Sequence, residues 1–192
     1  MMKESQRSLD IGTIWVFCDG STGMTGEGAV VAEAVEPRWG ALDRLRRRFQ
    51  ADSRCTAAAI ARGGDGRILD WAWQALDVRT NNEAEYAGLL LGMQMAERLC
   101  AKTTTFVLDS AVVIGQMEGR FAVNSKALRG WHWKACKVAR QLSDVRYCLV
   151  PREWNRLADG LAGQASIPWP LLRAALERQQ QGVTGNGKEK PT

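Results

Sequence analysis

Four acidic residues stand in settings that ordinary surface acids do not share. Asp19 follows the apolar run Ile14-Trp15-Val16-Phe17-Cys18, and Asp109 follows Phe106-Val107-Leu108, so each closes a strand-like stretch. Glu85 lies inside the most apolar helical segment of the chain, and Asp159 sits in the small, apolar run Leu157-Ala158-Asp159-Gly160-Leu161-Ala162. Open α/β sheets place their sites in the crevice beyond strand C-termini. A carboxylate buried among apolar neighbours is costly unless it is paired, hydrogen-bonded or bound to a metal. Taken singly, each acid reads as a helix cap or a surface charge. Taken together and converging, they cannot all ionise without a cation between them. An all-oxygen donor set selects Mg²⁺, with Mn²⁺ as a substitute.

The elements that must position these acids follow from pattern. A strand is expected from Ile11 to Cys18, stopping at the turn-like Asp19-Gly20-Ser21. A Gly-rich loop follows over 22–28, with a further strand over 28–35 and a helix over 40–50. Thr56–Arg62 and Arg67–Asp77 read as strands joined by Gly63-Gly64-Asp65-Gly66, a strong hairpin signal. Residues 81–99 form the longest helical stretch, apolar nearly all round and therefore central. Its start holds Asn81 and Asn82, one of which is expected to be the cap. Thr103–Leu108 is a short strand, and Ser110–Met117 a short helix capped by Asp109 or Ser110. From Ser125 to Leu142 the apolar positions Leu128, Trp131, Ala135, Val138 and Leu142 repeat at helical spacing. Lys126, Trp133, Lys137 and Arg140 fall on another face of that helix. Asp144–Val150 is the last strand, and helices follow over about 155–165 and 169–180. Strands first and then alternating helix and strand imply a mixed sheet flanked by helices.

Composition bounds the answer. The chain has 192 residues, 45% hydrophobic and 24% charged, which suits one globular domain and excludes wholesale disorder. A net charge of +5 is compatible with a polyanionic partner without requiring one. The cysteines Cys18, Cys55, Cys100, Cys136 and Cys148 are dispersed and His132 is the sole histidine, which argues against structural zinc and for reduced thiols. His132 is given no role. The polar N-terminus and the lack of a long apolar run lead us to expect a cytoplasmic protein with no membrane partner, and a monomer.

The acids and their surroundings carry a resemblance. Asp19-Gly20-Ser21 after an apolar strand, Thr80-Asn81-Asn82-Glu83-Ala84-Glu85-Tyr86-Ala87-Gly88-Leu89, Leu108-Asp109-Ser110, and the block from Val150 through Asn155 and Asp159 to Ala162 resemble the four signatures of the type 1 ribonuclease H family, in order, over about residues 11–166. The resemblance implies an α/β, ribonuclease H-like fold: a five-stranded mixed sheet, its first three strands antiparallel, flanked by helices on both faces. It assigns Asp19, Glu85, Asp109 and Asp159 as catalytic metal ligands for two Mg²⁺ ions. It implies an endoribonuclease that hydrolyses the RNA strand of RNA–DNA hybrids. Gly20, Ser21, Asn81, Asn82, Ser110 and Asn155, inside the matched blocks, are then expected to bind substrate. Glu83 is read as a surface acid. Two other readings stay open: a nuclease of this fold acting on double-stranded or structured RNA, and a non-catalytic nucleic-acid-binding module.

The chain also departs from the family pattern. Its first loop, Thr22-Gly23-Met24-Thr25-Gly26-Glu27-Gly28, lacks the usual Asn-Pro-Gly, and Ala111 follows Ser110. Many members carry a histidine before the last acid. Here the loop 151–156 has none, and Arg152 could supply a cation instead. The segment 119–126 is too short for the family's basic protrusion. Residues 28–54 form an insertion whose Arg44, Arg46, Arg47 and Arg48 read either as a solvated helix face or as phosphate contacts. Trp133, with Lys137 beside it, reads either as a stacking platform for nucleic acid or as cover for a neighbouring loop. The expected organisation is a flexible tail over 1–10, the domain over 11–166, a C-terminal helix over 167–181 and a disordered tail over 182–192.

Overall fold

The computed structural model describes residues 12–22, 55–78 and 80–162. The expected first-loop, insertion, arginine-cluster, C-terminal-helix and tail features fall on residues 1–11, 23–54 and 163–192 and lie outside the described residues.

Five strands form one sheet: β1 (Thr13–Thr22), β2 (Cys55–Gly63), β3 (Ile68–Leu76), β4 (Thr103–Leu108) and β5 (Val145–Leu149), in the order β3-β2-β1-β4-β5. β1, β2 and β3 are an antiparallel meander, whereas β4 runs parallel to β1 and β5 parallel to β4. The β2–β3 turn is the Gly-rich tetrapeptide expected of it. The Gly66 amide donates to the Gly63 carbonyl at 2.9 Å, and Gly66 takes φ +81°, which favours glycine.

Helix α1 (Asn81–Leu99) crosses one face of the sheet. Its residues are buried on nearly every side because α2 (Ala111–Met117) and α3 (Lys126–Ala139) pack against it on that face. β2 alternates accordingly. Ala59 and Ala61 join the α1-side core with Ile14, Val16 and Cys18, while Ala58 and Ile60 join Ile68, Leu161 and Ala162 under α4 (Arg156–Ala162). On α3, Leu128 and Ala135 are buried and Trp131, Val138 and Leu142 pack against the same core, as the helical spacing requires.

Two local expectations need correction. β1 does not stop at Asp19-Gly20-Ser21; it pairs with β2 through Thr22, opposite Cys55. The reason is tertiary, because Gly20 serves close packing against α1 rather than a turn. A Cβ on Gly20 would lie 2.0 Å from the Ala84 carbonyl carbon. The cap of α1 is neither Asn81 nor Asn82 but Thr80. Its hydroxyl accepts from the Glu83 amide while the Glu83 carboxylate accepts from the Thr80 amide, a reciprocal capping box. Glu83 is therefore a structural residue of the helix start rather than a plain surface acid. The last helix starts within one residue of the expected position: Asn155 closes a 3₁₀ turn over Arg152–Trp154, its carbonyl accepts from the Asp159 amide at 2.9 Å, and α4 begins at Arg156. Ser110 does cap α2, accepting from the Val113 amide.

Candidate metal centre

Sheet topology brings the acids together. β1 and β4 are parallel neighbours whose last paired residues are Phe17 and Val107. Asp19 lies two residues past that pair on one strand, and Asp109 lies two residues past it on the other. Strand alternation gives Asp19 the face opposite Cys18, and Asp109 stands just past the end of β4. Glu85 arrives from α1, which approaches β1 closely because glycines line the contact. A Cβ on Gly88 would lie 2.3 Å from the Asp19 carbonyl oxygen, and one on Gly92 would lie 2.5 Å from the Cys18 Sγ. Gly88 and Gly92 share a helix face four residues apart, and that spacing was the signal in the sequence for this approach.

One carboxylate oxygen from each of Asp19, Glu85 and Asp109 lies within 4.8 Å of the others. Asp19 and Glu85 are buried, 4% and 5% exposed. Burial first, and then the neighbouring Asp109 and Asp159 carboxylates, push Asp19 up to about 7, against the weaker pull of Arg152 and the Gly20 amide. Burial, then Asp19 and Asp109, push Glu85 up to about 9, with Asn81 and Arg152 acting the other way. These shifts are the signature of like charges held together in a site of low polarity. The Cys18 thiol beneath them is raised for the same reasons.

Asn81 and Asn155 bracket the cluster. Thr22 Oγ1 donates to Asn81 Oδ1 at 3.5 Å, and Asn81 Nδ2 donates to Glu85 Oε1 at 3.4 Å. Asn155, 1% exposed, donates to the Cys18 carbonyl at 2.9 Å and to Asp109 Oδ1 at 3.5 Å. It thereby ties the turn before α4 to the first strand. Asp159, on α4, stands outside the tight trio. Its Oδ1 accepts from the Arg152 guanidinium at 2.5 Å.

The remaining candidate residues are placed as follows. Gly20 is buried against α1, Ser21 is half-buried beside Asp19 in the strand, and Asn82 is half-buried on the first turn of α1. Ser110 spends its hydroxyl on the α2 cap. Trp133 is 63% exposed on α3, with the Lys137 ammonium 5.5 Å from its ring centre. That pair belongs to α3 and is not part of the acidic cluster. His132 accepts no catalytic place either; its Nε2 lies 3.3 Å from the Gln116 carbonyl and 3.4 Å from the Cys136 sulfur.

The donor set fits a hard divalent cation. Glu85 Oε2 is buried without a hydrogen-bond partner, an orphaned acceptor of the kind that a ligating metal satisfies. The three clustered groups are all carboxylates, as Mg²⁺ and Mn²⁺ prefer.

Fold and site together define a ribonuclease H-like nuclease architecture, and the comparison with known proteins agrees. The chain belongs to the ribonuclease H family: the profile described as "Reverse transcriptase-like" matches residues 48–165, more than half of its length. It is 39% identical over 98 residues to the bifunctional protein Rv2228c of Mycobacterium tuberculosis, a match covering 51% of this chain but 27% of that relative. It is 28% identical over 145 residues to ribonuclease HI of Halobacterium salinarum, covering 73% of this chain and 72% of the relative. The solved N-terminal ribonuclease H domain of Rv2228c superposes with a TM-score of 0.61 at 27% identity, covering 79% of this chain and 97% of that one.

Proposed function

We propose that this chain is an endoribonuclease that hydrolyses the RNA strand of RNA–DNA hybrids with two divalent cations. The observation that carries the reading is the convergence of Asp19, Glu85 and Asp109 around an unsatisfied carboxylate oxygen, in a chain of the ribonuclease H family. Asp19, Glu85, Asp109 and Asp159 would hold the ions, Mg²⁺ by donor chemistry with Mn²⁺ as substitute. Ions so held supply charge stabilisation for the attacking and leaving oxygens of an in-line phosphodiester displacement. In that reaction a water oxygen–phosphorus bond forms and the bond to the 3′ oxygen breaks.

The chain's own residues do the rest. Asn155 fixes against β1 the turn that leads into α4 and Asp159, and Asn81 holds Glu85 from the exposed start of α1. Ser21, Asn82 and Ser110 flank the acids and are assigned to the substrate strand. Discrimination of RNA from DNA requires contacts to 2′-hydroxyls across the wide minor groove. Trp133 and Lys137 offer a cation-flanked aromatic face for the second strand.

The test is cleavage of a labelled RNA–DNA hybrid with Mg²⁺, beside single-stranded RNA, double-stranded RNA and a DNA duplex. Asp109→Asn is the control, since it removes a ligand charge while keeping its shape. We expect hybrid cleavage that the substitution abolishes. Preferential cutting of double-stranded RNA would move the substrate, and binding without cutting would make the chain a nucleic-acid-binding module.

A further inference from the structure

Arg152 occupies a particular place. It opens the 3₁₀ turn between β5 and α4, and that turn is pinned by Asn155 to the Cys18 carbonyl and Asp109. Its side chain is 74% exposed and rests on Asp159, the one of the four acids outside the tight trio. Its guanidinium also lies close enough to Asp19 and Asp109 for their charges to act on it. A cation ligated by Asp159 and the guanidinium compete for the same carboxylate oxygens. Guanidinium is also the side chain best suited to grip a phosphate with paired hydrogen bonds.

Resting on the metal-dependent reading above, we propose that Arg152 is an exchangeable counter-cation that couples metal binding to substrate binding. A divalent ion at Asp159 displaces Arg152, and the freed guanidinium takes a phosphate of the nucleic acid; a phosphate that draws Arg152 away opens Asp159 to the ion. Each ligand then favours the other by the same factor, as linkage requires. Arg152 is thus a positioning residue, acting on the ions through Asp159.

The test uses the full chain and two binding measurements, neither of which needs turnover. Titration calorimetry with Mn²⁺ alone compares wild type, Arg152→Gln and Arg152→Lys. We expect Arg152→Gln to bind Mn²⁺ about two- to fivefold more tightly, the range that an exposed ion pair supports, with Arg152→Lys closer to wild type. Fluorescence anisotropy with an RNA–DNA hybrid in EDTA then compares Arg152→Gln, Asp159→Asn and the double variant. Asp159→Asn should tighten hybrid binding when Arg152 is present and do so much less in the Arg152→Gln background. Equal Mn²⁺ affinity of wild type and Arg152→Gln overturns the proposal, as does an Asp159→Asn effect independent of Arg152. If wild type binds no Mn²⁺ at all, the metal-dependent reading itself falls, and this inference falls with it.

Discussion

Substituting Gly20 by alanine should be among the most damaging single-methyl changes this fold can receive. The added Cβ would sit 2.0 Å from the Ala84 carbonyl carbon, 2.2 Å from its oxygen and 2.3 Å from the Glu85 nitrogen. All three are backbone atoms, so no rotamer change relieves the contact. Reaching ordinary van der Waals distance, 3.4 Å, needs a withdrawal of about 1.4 Å by α1 from β1. That movement opens the core between Cys18, Val16 and the helix, where packing is otherwise close. Overpacking commonly costs about 1–3 kcal/mol, and a pure backbone clash belongs at about 3 kcal/mol or above. For a chain of this size that lowers Tm by about 6–12 °C. The same withdrawal carries Glu85 away from Asp19 and Asp109, so Mn²⁺ affinity should fall in the material that remains folded. Gly130→Ala is the internal control. Gly130 is exposed within α3 with nothing within 4 Å of its would-be Cβ, so alanine should stabilise by about 0.5–1 kcal/mol through helix propensity. Thermal unfolding followed by circular dichroism reads both. A Gly20→Ala protein melting within about 1 °C of wild type would refute the claim that this glycine sets the strand–helix distance.

Two further outcomes follow from the site. Asp19 and Glu85 carry folded values near 7 and 9, above their ordinary 3.8 and 4.5, so the native state binds more protons than the unfolded chain between those limits. In EDTA, stability should therefore be greatest below about pH 4 as far as these two groups are concerned, and fall as pH rises through 7 and then 9. Glu85→Gln should flatten the upper part of that fall, and urea titrations at stepped pH check it; an unchanged slope would count against the carboxylate cluster. Asn155→Ala leaves the Cys18 carbonyl without its side-chain donor and unties the turn that leads into α4 and Asp159. It should cost about 1–2 kcal/mol, a Tm loss of about 2–8 °C, and reduce cleavage of hybrid more than binding, measured by single-turnover kinetics beside anisotropy.

Much of this architecture is legible in the chain because local and tertiary preferences agree. Thr103–Leu108, the Gly63–Gly66 hairpin turn and the long apolar helix from Asn81 to Leu99 sit where pattern puts them. The failures have physical causes. Thr80, Asn81 and Asn82 are three good caps in a row, and only the reciprocal partner Glu83, three residues past Thr80, decides among them. Asp19-Gly20-Ser21 has turn composition, but Gly20 answers to a helix 64 residues further along, which no local window reports. The acids were legible as a set, yet their meeting depends on β4 lying beside β1, a fact of strand order and not of spacing. The Arg152–Asp159 pairing was invisible for a similar reason, since it spans a 3₁₀ turn that Asn155 ties to β1, 137 residues away in the chain.

The bond from Asn155 to the Cys18 carbonyl joins positions 137 residues apart, and this has a consequence for the order of events during synthesis. β1 is synthesised well before its partner β4, which follows about eighty residues later, and its clip comes later still. Closing such long loops is slow, and contacts of this separation form late. A nascent chain that has exposed only its meander and central helix holds Asp19 and Glu85 without Asp109, Asn155 or Asp159. Those two carboxylates then stand with neither the clip nor the other two acids, and the proposed ion site is complete only once the segment through Asp159 has been made.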